Sequence, residues 1–150
     1  MNRTEQAVHY FEQGYLCSQS ILATFAPQLG FDQETAFRIA AGFGAGMGRM
    51  GEVCGALTGA FMVIGLRFGH TSGEDMVNKD LTYQHVQKGA DQFRNRHGTI
   101  LCRELIGCTL RNPEELQSAR ERGVFINQCP GYIRTAGDIL EELLKEQSEA

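Results

Sequence analysis

Cys17, Cys54, Cys102, Cys108 and Cys129 are the residues of this 150-residue chain best suited to chemistry. A cysteine thiolate ligates soft metals, attacks disulfide sulfur and carries electrons through reversible bond formation. The opening residues, MNRTEQAVHYFEQGY, interleave charged and apolar types without the apolar run of a secretory signal. A cytoplasmic location is therefore expected, where thiols seldom serve as structural staples. A chain of this length also buries a core without covalent help. Several thiols together then point to metal or electron chemistry.

Position along the chain sharpens this. Cys54 opens an uncharged, apolar segment, and Cys129 directly precedes Pro130 at the head of a final helix. A helix N-terminus offers unpaired N–H groups and a positive partial charge, both of which favour a thiolate. Cys17 follows a break at Gly14, and Cys102 follows one at Gly98. Cys108, after Gly107, reads equally as a core residue or as a resolving thiol. The competing use of each is burial as a small hydrophobe.

Spacing gives no familiar metal code. There is no CxxC pair, and Cys102-x5-Cys108 is loose, so a ribbon, knuckle or ferredoxin-type site is not supported. Any joint site must be assembled by the fold from separate helices. Three functions compete on these residues. In the first, Cys54 is the activated thiolate and exchanges with Cys102 or Cys129, with Cys17 completing the set. In the second, Cys17, Cys54, Cys102 and Cys129 bind zinc or an iron–sulfur cluster. In the third, the cysteines are core residues of a helical interaction protein. Homo-oligomerisation is open to all three. The partner is accordingly a redox partner, a metal or another protein surface.

Other motifs carry less. Gly46-Met47-Gly48-Arg49-Met50-Gly51 matches GxGxxG, but a helix-like segment precedes it where a dinucleotide site needs a strand. It reads better as a tight loop packed on the cysteine site. His9, His70, His85 and His97 are scattered, and Met47 and Met50 read as packing before soft ligands. The net charge of −4 and the short basic run Arg94-Asn95-Arg96-His97 argue against nucleic acid. The apolar stretch from Val53 to Leu66 is too short for a membrane span, which needs about 20 residues.

The elements that must position the thiols all read as helix. The expectation is one all-α domain over residues 1–150, a bundle of about five or six helices around a central apolar, glycine-containing helix at Val53–Phe68. Its Gly55, Ala56, Gly59 and Ala60 make a face that lets another backbone come close. Gly69 reads as its left-handed C-terminal stop. Thr71 or Ser72 then caps a long helix with a buried stripe of Met76, Tyr83, Val86, Ala90 and Phe93. Asn112-Pro113 opens another helix, and the last buries Ile133, Ala136, Leu140, Leu143 and Leu144 before Lys145 to Ala150 fray.

These residues carry a resemblance. Gly14-Tyr15-x-Cys17, then Cys54-Gly55-Ala56-x-x-Gly59, Gly65-Leu66-Arg67-Phe68-Gly69, Cys102-Arg103-Glu104-Leu105-Ile106-Gly107 and Cys129 together resemble the C_GCAxxG_C_C family of redox-active proteins. The likeness runs from about Val8 to Leu144, although the hexad here is ordered Cys-Gly-Ala where the family name spells Gly-Cys-Ala. It implies a small helical protein with redox activity and four characteristic cysteines, mapping onto Cys17, Cys54, Cys102 and Cys129. Cys108 lies outside that set.

Overall fold

The computed structural model describes residues 1–149, with side chains through Lys145. Among the described residues the regular structure is helical, with no strand beyond one antiparallel bridge, Val53 to Leu101. The helices are α1 (Arg3–Glu12), α2 (Cys17–Phe25), α3 (Gln33–Ala40), α4 (Gly44–Met47), α5 (Gly55–Phe68), α6 (Met76–His97), α7 (Cys102–Ile106), α8 (Pro113–Glu121), α9 (Val124–Asn127) and α10 (Cys129–Glu149). The chain is thus cut into more pieces than the expected five or six.

Local chemistry explains most of the boundaries. Asn2 caps α1 by accepting the Glu5 N–H at 2.8 Å, and Asp32 caps α3 through the Thr35 N–H at 2.9 Å. Leu16, before α2, has no capping oxygen. There the Gln19 side chain reaches back and accepts the Leu16 N–H at 3.0 Å. Asn112 accepts from Glu114 and Glu115 ahead of α8, with Pro113 at its first position.

Some expected boundaries move. Asp75, not Thr71 or Ser72, caps α6, because its carboxylate accepts the Asn78 N–H at 3.0 Å while Ser72 is spent on the turn before it. Gly69 is extended rather than left-handed (φ −59°, ψ 143°). Met76 and Tyr83 are 52% and 54% exposed, so the buried stripe of α6 lies nearer its C-terminal end, at Gly89 and Phe93. Helix α10 continues through Lys145 to Glu149 where fraying was expected, and Ala150 lies outside the described residues.

The main core holds Ile21, Leu22, Phe25, Leu57, Ile64, Phe93, Ile133 and Leu140, all essentially inaccessible. Each large apolar side chain buried this way contributes about 1.5–3 kcal/mol. Helix α5 packs on α2, α6 and α10, and α1 packs on α10. A smaller cluster under α7, α8 and α9 joins Ile106, Leu110, Ala119 and Val124 to Cys102 and Cys129. Cys17 packs against both clusters, at the seam between them.

Glycines set the closest approaches. A Cβ on Gly59 would stand 3.0 Å from the Ser18 carbonyl oxygen and 3.1 Å from Ile21 Cβ. One on Gly55 would stand 3.3 Å from both Cys17 Cβ and the Ser18 nitrogen. The small-residue face of α5 therefore draws the start of α2 against the start of α5. Ser18 also ties α2 to the end of α3 by donating its buried hydroxyl to the Ala40 carbonyl at 2.8 Å.

Candidate functional site

Each of the four expected cysteines stands where a helix begins. Cys17, Cys102 and Cys129 are the first residues of α2, α7 and α10, and Cys54 is the N-cap of α5. All four line one cavity of about 570 Å³. Cys108 does not line it, and packs beside the smaller core cluster instead. All five cysteines are free thiols.

Two local devices bring remote thiols together. The first is the bridge between residues 52–54 and 100–102. Cys54 donates its N–H to the Ile100 carbonyl at 2.8 Å, and Cys102 donates to the Glu52 carbonyl at 2.7 Å. This pairing fixes two chain segments far apart in sequence, with Cys54 opposite Ile100 and Cys102 opposite Glu52, one position to either side of the Val53–Leu101 bridge. The second is the contact of Gly55 with Cys17, which places Cys17 against the head of α5.

The glycine-rich loop braces the bridge from behind. Ala45, Gly46, Met47, Gly48 and Arg49 are consecutive left-handed residues, with φ between 56° and 68°. They form a left-handed turn closed by Gly48 N–H to Gly44 O at 2.9 Å. L-residues other than glycine resist this conformation by about 1–2 kcal/mol each. Gly46 lies so close to its neighbours that a Cβ there would stand 2.6 Å from Cys102 Cβ and 2.7 Å from the Glu52 nitrogen. Gly51 similarly lies against Arg103. The GxGxxG run therefore packs on the cysteine site, and a helix precedes it where a dinucleotide fold has a strand.

The thiols differ in electrostatics. Burial pushes Cys54 up to about 12, although the Ala56 and Leu57 N–H groups of the helix end pull the other way. Burial likewise raises Cys102 to about 12, with Cys54, Cys129 and Cys108 adding to it. Cys17 is raised well above an ordinary thiol, first because its S–H is donated to the Cys129 sulfur, and then by burial. The same hydrogen bond lowers Cys129, against the opposing effect of burial. At Cys54 desolvation outweighs the pull of the helix end, whereas Cys129 is the one of the four whose pKa is lowered.

The remaining candidates fall outside the cavity. His97 shares a 2.8 Å hydrogen bond with the Thr135 hydroxyl, and its ring meets Phe93 and Tyr132. His85 stacks on Phe68. Neither Met47 nor Met50 lines the cavity. Among the described residues, no three His, Cys, Asp or Glu side chains stand together as a group able to hold a metal ion. The four-cysteine set expected for zinc or an iron–sulfur cluster is therefore not assembled as a ligand group in this arrangement. Also among them, no helix is long and apolar enough to cross a membrane.

Several cavity residues escaped the sequence reading. Tyr132 stands one turn after Cys129 on α10, lines the cavity and donates its hydroxyl to the Leu105 carbonyl at 3.2 Å. Its i+3 spacing from Cys129 was the available signal. Arg49 lies within the glycine-rich run. Arg120 and Phe125 sit in a region with no thiol and no pattern to mark it.

The molecule is, by fold and site, a helical protein that gathers four cysteines from four helix starts around one cavity. A family model described as "Putative redox-active protein (C_GCAxxG_C_C)" matches residues 15–143, and the chain belongs to that family. No curated protein and no solved structure gives a significant match.

Proposed function

We propose that this redox-active protein performs dithiol–disulfide exchange, with Cys129 as the attacking thiolate and Cys17 as the resolving thiol. The supporting observation is that Cys17 and Cys129, each at a helix start, line one cavity, where the Cys17 thiol acts as donor toward the Cys129 sulfur, raising Cys17 and lowering Cys129. This donation stabilises a thiolate on Cys129 and holds the second sulfur next to the first. A thiolate attacks a disulfide through a mixed-disulfide intermediate, which the neighbouring thiol then resolves. Cys54 and Cys102, held protonated by burial, stand by as a second dithiol beside the first.

The test is alkylation of the reduced protein at pH 7, read by peptide mass spectrometry, followed by mild oxidation and bridge mapping. Cys129 is expected to alkylate first, and Cys17–Cys129 to be the first reversible bridge. First alkylation at Cys54, or an oxidised protein without a Cys17–Cys129 bridge, would refute this assignment.

A further inference from the structure

We propose that the oxidant is a small organic disulfide with an apolar body and an anionic end, bound within the cysteine cavity. This inference rests on the exchange reading above and adds the substrate class.

Size and burial come first. Cys54, Cys102 and Cys129 are only 4%, 7% and 5% exposed. A disulfide on a folded protein's surface does not reach a sulfur recessed this far, whereas a small molecule enters a cavity of about 570 Å³. That volume falls within the roughly 300–1,000 Å³ of small-molecule sites. The wall chemistry comes next. Around the thiols stand Phe11, Leu16, Leu105, Leu116 and Phe125, which suit an apolar body. Two guanidinium groups, Arg49 and Arg120, also line the cavity. Both are exposed, and neither has an ion-pair or side-chain hydrogen-bond partner among the described residues. Arg103, by contrast, is held by Glu52 at 3.3 Å. Glu12 is the one carboxylate on the wall, so the two guanidinium groups outnumber it. The wall therefore carries uncompensated positive charge in a chain whose net charge is −4. Such focused charge draws anions and raises their encounter rate.

The step balances without any further reactant. The Cys129 thiolate attacks one sulfur of R–S–S–R′, forming a Cys129–S–R bond as R′–S⁻ leaves with the electron pair. Cys17 passes its proton to the departing R′–S⁻, attacks the Cys129 sulfur as a thiolate, and R–S⁻ leaves with the electron pair of the Cys129–S–R bond. The substrate is reduced by two electrons to one thiol and one thiolate, and the protein dithiol is oxidised to one disulfide.

The experiment uses the full reduced chain without oxygen and follows second-order loss of three probes. These are dithionitrobenzoate (aromatic, anionic), dithiodiglycolate (short, anionic) and hydroxyethyl disulfide (neutral). Each rate is divided by that of a free thiol in solution. The aromatic anion is expected to exceed the neutral probe by about tenfold, within the range focused charge supplies, and to exceed the equally charged short anion through its contacts with the apolar wall. In the variant R49Q/R120Q, the ratio of aromatic anion to neutral probe should fall about tenfold. Equal normalised rates in the native chain, or a ratio unmoved by R49Q/R120Q, would overturn the substrate class while leaving exchange at Cys129 intact. No reaction at Cys129 with any probe would overturn the exchange reading, and this inference with it.

Discussion

Gly46→Ala tests whether the left-handed loop braces the site. Its matched control is Gly48→Ala. Both glycines are left-handed, with φ of 68° and 65°, so both substitutions incur the about 1–2 kcal/mol of left-handed strain. Both also recover about 0.4–1 kcal/mol by restricting the unfolded chain. Only space separates them. A Cβ on Gly48 meets nothing closer than the Gly42 oxygen at 3.7 Å. On Gly46 it meets Cys102 Cβ at 2.6 Å and the Glu52 nitrogen and oxygen at 2.7 and 2.8 Å. The Glu52 atoms are backbone, and they are tied into the bridge that carries Cys54 and Cys102, so they cannot rotate away. Overpacking of this kind costs about 1–3 kcal/mol. Gly48→Ala should therefore cost about 1 kcal/mol and Gly46→Ala about 3 kcal/mol. With a urea slope of about 2 kcal/mol per molar, the two midpoints should differ by about 1 M. Cys102 should also react faster with thiol reagents in Gly46→Ala, because its N–H bond to Glu52 is the contact under pressure. Midpoints coinciding within about 0.3 M, with Cys102 unchanged, would refute the bracing argument.

Three further outcomes follow from the thiols and their neighbours. Cys54 and Cys102 sit at about 12 in the folded chain, against about 8.5 when unfolded. Their stabilisation is complete below pH 8.5 and is lost as pH rises toward 12. Urea unfolding measured from pH 8.5 to 10.5 should record a loss of about 4–5 kcal/mol, about 2.3 kcal/mol from each thiol, that a C54S/C102S variant lacks. Cys17→Ala removes the donor that lowers Cys129, so the pH midpoint of Cys129 alkylation should move upward; an unchanged profile would show that another group sets it. Ser18→Ala strands the buried Ala40 carbonyl and should cost about 1–3 kcal/mol by denaturant titration.

The sequence made the helical class legible because apolar periodicity and caps agree along most of the chain, as at Asp32 and at Asn112-Pro113. It also placed the four thiols at helix starts, since Gly14, Gly98 and Pro130 are local signals. It did not make the loop's handedness legible. Ala45, Met47 and Arg49 are left-handed in a loop that packs at Gly46 against Cys102 and Glu52, a contact between segments remote in sequence. The exposure of Met76 and Tyr83 was equally hidden, because a helical stripe records a period and not how far the neighbouring helices extend. Nor could any local pattern show Arg120 lining the same cavity as a cysteine more than a hundred residues before it.

The choice of nucleophile turns on the same distinction between local and assembled effects. All four thiols share the local advantage of a helix start, so the dipole cannot select among them. Burial acts on all four in the opposite direction, and in Cys54 it prevails over two backbone N–H groups. What differs is the donor that folding brings to one sulfur: Cys17, from a helix distant in sequence, keeps its proton and donates its S–H as a hydrogen bond to Cys129. Gly55 and Gly59 are what allow α2 to come close enough for this. The glycines of the Cys54 hexad thus support a thiolate on α10, not on Cys54 itself. Enlarging Gly55 should therefore act on Cys129 through the position of Cys17, while leaving the helix end at Cys54 chemically unchanged.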